Sequence, residues 1–513
     1  MERRSALKQK PIITGRWGTG KTATLLLRHH SLSKALETAT GTNEELWYID
    51  EKGLYPEVLL HTVSHESDDK SVDFHLRTLW MSEIYRRTAH ILAILIDDYG
   101  PHSGDHWAFI SRIRRSAKQS VWQSLLQALN IITNPTTAPP LHITEMTGTL
   151  QDFLDPNSHE AVRRCLHDIS SHSLRPRIGI EPIESPGSPL EQNSLLATRV
   201  IRALLNVFQE SFVPGPRNPL SVTVAIPWHR FDRASLDQPQ HLVSQFATLD
   251  WAPDELKEFL DRRIAWEFER VGRKRNRKAD PWHTLFAKSY VNHAYTAPIR
   301  EETFPYVLRN THYRPRDVQQ IVRQAVLMCA TQNGLDTDHV LRGHNGIQVN
   351  ATHLAKAAIE INSLRAVDRI NEASRHYPEV PGLCRILHGL TTPFTTDVLA
   401  ARLASPDAPS IDITAAVRAL WDSGIIGLTL PEQPEAGYRF ALERASLTRY
   451  TTAVPPHAQY SRYYLCHYNC LQSDFEGLAN AIRSSGCVVE YFVHPVFNNL
   501  LHPLVGQVHP YGV

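Results

Sequence analysis

Cysteine is scarce: six residues in a chain of 513, too few to staple a chain whose size lets it build its own cores, so a reducing compartment is expected. Long apolar runs are missing too. The longest is residues 91–96, against the roughly 18 residues that a membrane helix needs, so no span is expected. Charge of one sign is lacking, because 54 Lys and Arg stand against 53 Asp and Glu for a net of +1. That removes the whole-chain electrostatic case for a dedicated nucleic-acid binder and leaves only local patches. No repeat of 20 to 50 residues is visible, which excludes a solenoid or propeller. The start, MERRSALKQK, is basic like a signal n-region, but Pro11-Ile12-Ile13 is too short for an h-region. A soluble, cytoplasmic protein is the expectation.

What is present divides the chain. Proline clusters at 134–140, 182–189 and 214–216 read as loops, since proline removes a backbone donor and restrains its predecessor. Short strand-like runs at 46–49, 178–180 and 222–226 alternate with helical periods, among them one at 79–95 and another at 194–212. This alternation predicts an α/β layer over residues 1–250. Beyond it helices dominate, with a start signal at Asp250-Trp251-Ala252-Pro253. A helical lid is expected over 251–330, a helical connector over 331–380 and a C-terminal domain over 381–513. In that last part, runs at 425–430 and 438–442 flank a turn as a hairpin; a helical pair followed by a hairpin reads as a winged helix.

One motif carries chemistry directly. Gly15-Arg16-Trp17-Gly18-Thr19-Gly20-Lys21-Thr22 fits G-x-x-x-x-G-K-[ST], between a predicted strand at 11–14 and a predicted helix at 23–28. Glycines let consecutive amides converge on phosphates, the helix N-terminus adds positive dipole, Lys21 reaches the β and γ phosphates, and the Thr22 hydroxyl joins Mg²⁺. ATP and Mg²⁺ are therefore the expected ligands.

Such a loop needs a carboxylate at the end of a neighbouring strand. Asp97 and Asp98 close a hydrophobic run that continues a helical period. Arg177-Ile178-Gly179-Ile180-Glu181-Pro182-Ile183-Glu184 is a weaker match in a better place. Residues alone leave both open.

Several stretches together resemble a known family. They are Lys21 in its loop, the helix at 79–95 with Trp80, residues 222–231, Leu249-Asp250-Trp251 ahead of Glu255-Leu256, Tyr313-Arg314-Pro315-Arg316-Asp317, and Phe492-Val493-His494-Pro495-Val496-Phe497. The chain is similar to a prokaryotic P-loop ATPase family related to the STAND and KAP branches of the AAA-like ATPases, whose members often sit in phage-defence or conflict gene islands. The resemblance implies an α/β P-loop NTPase core, a helical lid and a C-terminal winged helix. It places Glu181 and Glu184 where the family carries an Asp and a second acid, so Thr22 and Glu181 would hold the metal. It also gives Arg316, at the head of a lid helix, the role of reaching the γ phosphate. The residue-level alternative is that Arg316 pairs locally with Asp317 or Glu301 on a solvated face.

The departures matter as much. Relatives end the strand at 222–226 with a polar sensor, whereas here Pro227-Trp228-His229-Arg230 follows, leaving His229 or Arg230 for that task. Relatives also carry an adenine-contacting segment upstream of the first strand, so either base recognition is weak here or the start is misplaced. An intact loop beside an altered acid and sensor predicts an ATP-dependent switch with slow turnover. The output is then a protein partner or effector encoded elsewhere, with a homo-oligomer left open. DNA is the alternative partner, through the basic run 273–278 and the winged helix. Arg418 is the one cation of that domain's second helix at 412–423, where a groove-reading helix carries several. Cys466, Cys470, Cys487 and His494 lack a standard zinc spacing and read as ordinary buried groups.

Overall fold

The computed structural model describes residues 10–15, 18–40, 47–50, 69–99, 107–108, 110, 156–170, 176–183, 190, 193–213, 218–227, 230, 245–249, 251, 253–273, 279–286, 290–292, 300–343, 346–429, 464–465, 479–480, 483–484, 488–502 and 504–505. They form two units, divided between Leu249 and Asp250.

Unit one is a mixed α/β body around a five-stranded sheet. Its elements are β1 (Ile12–Gly15), α1 (Lys21–Thr40), β2 (Tyr48–Asp50), α2 (Asp69–Tyr99), α3 (Pro156–Ser170), β3 (Arg177–Glu181), α4 (Ser194–Val207, prolonged by a π turn to Phe212), β4 (Ser221–Pro227) and β5 (Phe246–Leu249). All pairings are parallel, in the order β2-β3-β4-β1-β5. Parallel strands need helices on both faces, and the period of two assigns them. Ile12, Ile178, Ile180, Val222, Val224 and Ile226 join the core of α2 and α4, where the Trp80 indole donates to the Val200 carbonyl at 3.0 Å. Ile13 and Ala225 point the other way, onto Leu25 of α1. By the same alternation Gly179 and Glu181 share the α1 face. The helical period through residue 97 is real: Asp97 lies within α2, while Glu181 ends β3. β5 has no counterpart among the predicted strands.

Unit two begins with α5 (Pro253–Arg270), a two-stranded ribbon of β6 (Tyr290–Asn292) and β7 (Arg300–Glu302), α6 (Pro315–Gln332) and α7 (Ala351–Ser374). Next come α8 (Val380–Leu387), β8 (Thr391–Thr392), β9 (Phe394–Thr395), α9 (Thr396–Leu403), α10 (Ile413–Asp422), β10 (Ile426–Thr429), β11 (Tyr464–Leu465), β12 (Glu490–Val493) and β13 (Leu504–Val505). Two cores share α7. Leu354, Ala357 and Ala358 pack with α5 and α6, whereas Ala366 and Ala373 pack with α8, α10 and the terminal Val496 and Phe497. One 24-residue helix therefore ties both parts of unit two into a single frame.

The expected hairpin takes a different form. β10 is a strand, but its described neighbours are β11 and β12, both antiparallel, and β12 also pairs with β9. Residues 438–442 lie outside the described residues. The segment before His494, for which no strand was expected, supplies β12, an inner strand of this four-stranded sheet beside β10.

Candidate functional site

The glycine loop leaves the carboxyl end of β1, a strand flanked by β4 and β5, on the edge of a parallel sheet where ligands bind in such folds. Gly15 sits under tight cover. A Cβ there would lie 2.7 Å from Thr19 Oγ1 and 2.9 Å from the Leu249 carbonyl oxygen, a backbone atom that cannot swing away. Gly20 is the opposite case: its φ of +94° needs glycine, and nothing stands within 4 Å of its absent Cβ. Its carbonyl takes the Thr24 amide at 3.0 Å and hydroxyl at 2.9 Å, which starts α1. No acidic residue occupies the first turn of α1, so the positive end of its dipole keeps its pull on an anion. Lys21, 4% exposed, extends back over the loop, its Nζ 3.4 Å from the Gly15 carbonyl. Arg16 and Trp17 lie outside the described residues, as does Glu184.

Glu181 comes to the loop across 159 residues of sequence. The Thr22 hydroxyl donates to its Oε2 at 2.8 Å, and the Tyr48 hydroxyl donates to the same oxygen at 2.7 Å. Glu181 is only 1% exposed, and a carboxylate so buried depends on donors of this kind. The structure thus brings Thr22 together with Glu181, and the sequence reading had no role for Tyr48. Behind Tyr48, the Trp47 indole stacks on the His29 ring with centroids 5.0 Å apart. Gly179 leaves room for that indole, which comes to 3.3 Å from its would-be Cβ. Burial, then Arg177 and Arg28, pushes His29 down to about 3, so the ring is a neutral spacer.

The donor set suits a hard, oxygen-loving cation. Thr22 offers a hydroxyl oxygen and Glu181 a carboxylate, and a magnesium site completes itself with phosphate oxygens and water. Among the described residues no group of three His, Cys, Asp or Glu side chains could hold a metal; Cys466, Cys470 and Cys487 lie outside them.

At the end of β4, Trp228 and His229 are outside the described residues and Arg230 is fully buried.

In unit two the Arg-Pro-Arg-Asp motif opens α6, and its members part ways. Arg316 is exposed. The alternative of a local pair with Asp317 does not form, because Asp317 is committed elsewhere, and the Glu301 side chain lies outside what is described. At 3% exposure it faces Arg365 at 3.5 Å and Arg369 at 4.0 Å, both from α7. Burial alone would raise its carboxyl; Arg365, Arg369, Arg314 and the His312 amide together hold it below the usual range. Next to it the buried rings of His312 and His494 stack at 4.1 Å, and His312 Nε2 bonds the Gly424 carbonyl at 3.0 Å. Burial keeps both imidazoles neutral, His494 at about 3.

Two sequence features bear on the DNA alternative. Arg273 donates to the Leu341 carbonyl and lies over the Phe268 ring, while residues 274–278 are outside the described ones. Arg418 pairs with Asp422 at 2.9 Å. Among the described residues no helix is long and apolar enough to cross a membrane.

No family model, curated protein or solved structure matches the chain.

Proposed function

We propose that the chain is an ATP-binding, Mg²⁺-dependent switch that hydrolyses its nucleotide slowly. The single observation that carries this reading is the 2.8 Å hydrogen bond from Thr22 to Glu181. It joins the last residue of a glycine loop to an acid on a strand two places away in the sheet, the pairing that Mg²⁺-nucleotide chemistry requires. A P-loop NTPase core accounts for it, with the loop's strand central and the acid-bearing strand β3 separated from it by β4.

In this reading Lys21 and the first amides of α1 bind phosphate, Thr22 supplies an oxygen to the metal, and Glu181 accepts the hydrogen bond of the Thr22 hydroxyl and fixes that oxygen's direction. Magnesium, when bound, supplies neutralising charge on the phosphate oxygens. Slow turnover follows from what surrounds Glu181. Its neighbour Pro182 has no proton acceptor to activate water, and of the two sensor candidates Arg230 is fully buried, while His229 and the second acid Glu184 lie outside the described residues. The C-terminal part of unit two, with α8, β9, α9, α10, β10, β11 and β12 in order and the sheet β11-β10-β12-β9, supports a winged helix. With Arg418 paired to Asp422, a protein partner or effector is favoured over DNA as its contact. A purified sample should bind Mg²⁺·ATP yet turn over well below the roughly 10 s⁻¹ typical of enzymes. A motor-like rate without any partner would contradict the slow switch.

A further inference from the structure

We propose that Tyr48 is a positioning residue for the metal site: its phenol holds the Glu181 carboxylate in place for Mg²⁺. This rests on the nucleotide reading above.

The register explains how Tyr48 reaches the acid. Tyr48 lies opposite Gly179 in the parallel β2–β3 pair, and Glu181, two residues on, points to the same face. The phenol therefore extends diagonally along the sheet to Oε2, at 2.7 Å. Its ring has a fixed backing, since Trp47 lies 5.6 Å from it, centroid to centroid, and is itself stacked on His29. This wall exists because Gly179 lacks a side chain.

The chemistry of the two donors differs. Thr22 belongs to the loop, so its oxygen is the one offered to a cation. Tyr48 belongs to the sheet and has no place in the phosphate loop, and its hydroxyl donates to the carboxylate from the strand side. A carboxylate at 1% exposure depends on its donors for its placement, and without the phenol Oε2 loses the donor that comes from the sheet. Tyr48 thus sets how much Mg²⁺ the site requires.

The test is a titration of the full chain with a fluorescent ATP analogue over a series of Mg²⁺ concentrations and in EDTA, on wild type, Tyr48→Phe, Glu181→Gln, the double variant and Lys21→Ala. Tyr48→Phe keeps the ring and its packing. It should raise the Mg²⁺ half-saturation on the order of tenfold, the size of a hydrogen bond to a charged group, with affinity in EDTA unchanged. In the Glu181→Gln background the same change should add nothing. If Tyr48→Phe leaves half-saturation within about twofold of wild type, the inference fails while the nucleotide reading stands. An equal effect in both backgrounds would likewise overturn it. If wild type binds no nucleotide, or Lys21→Ala binds it equally well, both readings fall.

Discussion

Glu181 and Asp317 are both carboxylates with almost no exposure, and their surroundings separate them. Glu181 takes hydroxyl donors from Thr22 and Tyr48. Asp317 takes guanidinium groups from Arg365 and Arg369. A hydroxyl can turn a lone pair to a cation while still donating its proton, so a carboxylate held by hydroxyls is ready for a metal. A carboxylate clamped by arginines is already neutralised, and its energy goes into holding α6 on α7. Burial alone therefore does not identify a site; the chemistry of the partners does.

The comparison can be broken most sharply by removing each charge while keeping its shape. Asp317→Asn should lower the stability of unit two by about 3 to 5 kcal/mol, because Arg365 and Arg369 would be left buried beside a neutral amide. Glu181→Gln should stay within about 1 kcal/mol in stability, since an amide oxygen still accepts from Thr22 and Tyr48. Chemical denaturation followed by hydrogen exchange in each unit reads both. Equal losses would erase the distinction.

The next effect is acid sensitivity, which the two units should share. His29 and His494, held at about 3, and His90, held at about 4 by burial and by Arg86 and Arg87, stay neutral when folded. The unfolded chain protonates them near pH 6.5. Their contribution is complete above that pH and is lost as pH falls from about 6.5 towards 4, by about 1.4 kcal/mol per pH unit for each histidine. Replacing His29 with Phe should remove one such increment from the slope of stability against pH. An unchanged slope would mean that His29 takes up a proton in the folded state.

Arg316→Ala is the smallest expected change, within about 0.5 kcal/mol, as for other exposed sites. Its informative readout is exchange over residues 313–330: ATP and ADP should protect them differently in wild type and alike in the variant. A difference that persists would make Arg316 a plain surface residue.

Contiguity decided what could be read from sequence. Strands β1, β3 and β4 and the start of α1 at Lys21 rest on neighbouring residues and stand where the pattern placed them. β5 escaped because Phe-Ala-Thr-Leu is four residues long and becomes a strand by pairing with β1. Choosing between Asp97 and Glu181 required the sheet, which alone shows that β3 ends beside Thr22. Tyr48 could not be found because its contact spans 133 residues. In the Arg-Pro-Arg-Asp motif the helix start was legible, while the partners of Asp317 lie on another helix, so its structural task was hidden behind Arg316.

The central claim is that Gly15 to Thr22 and Glu181 together bind Mg²⁺·ATP. A fluorescent-nucleotide titration of wild type and Lys21→Ala, with Mg²⁺ and with EDTA, tests it most directly. The account predicts saturable binding by wild type, weakened by EDTA, and none by Lys21→Ala. Unchanged affinity in Lys21→Ala, with the variant folded as wild type, would contradict it.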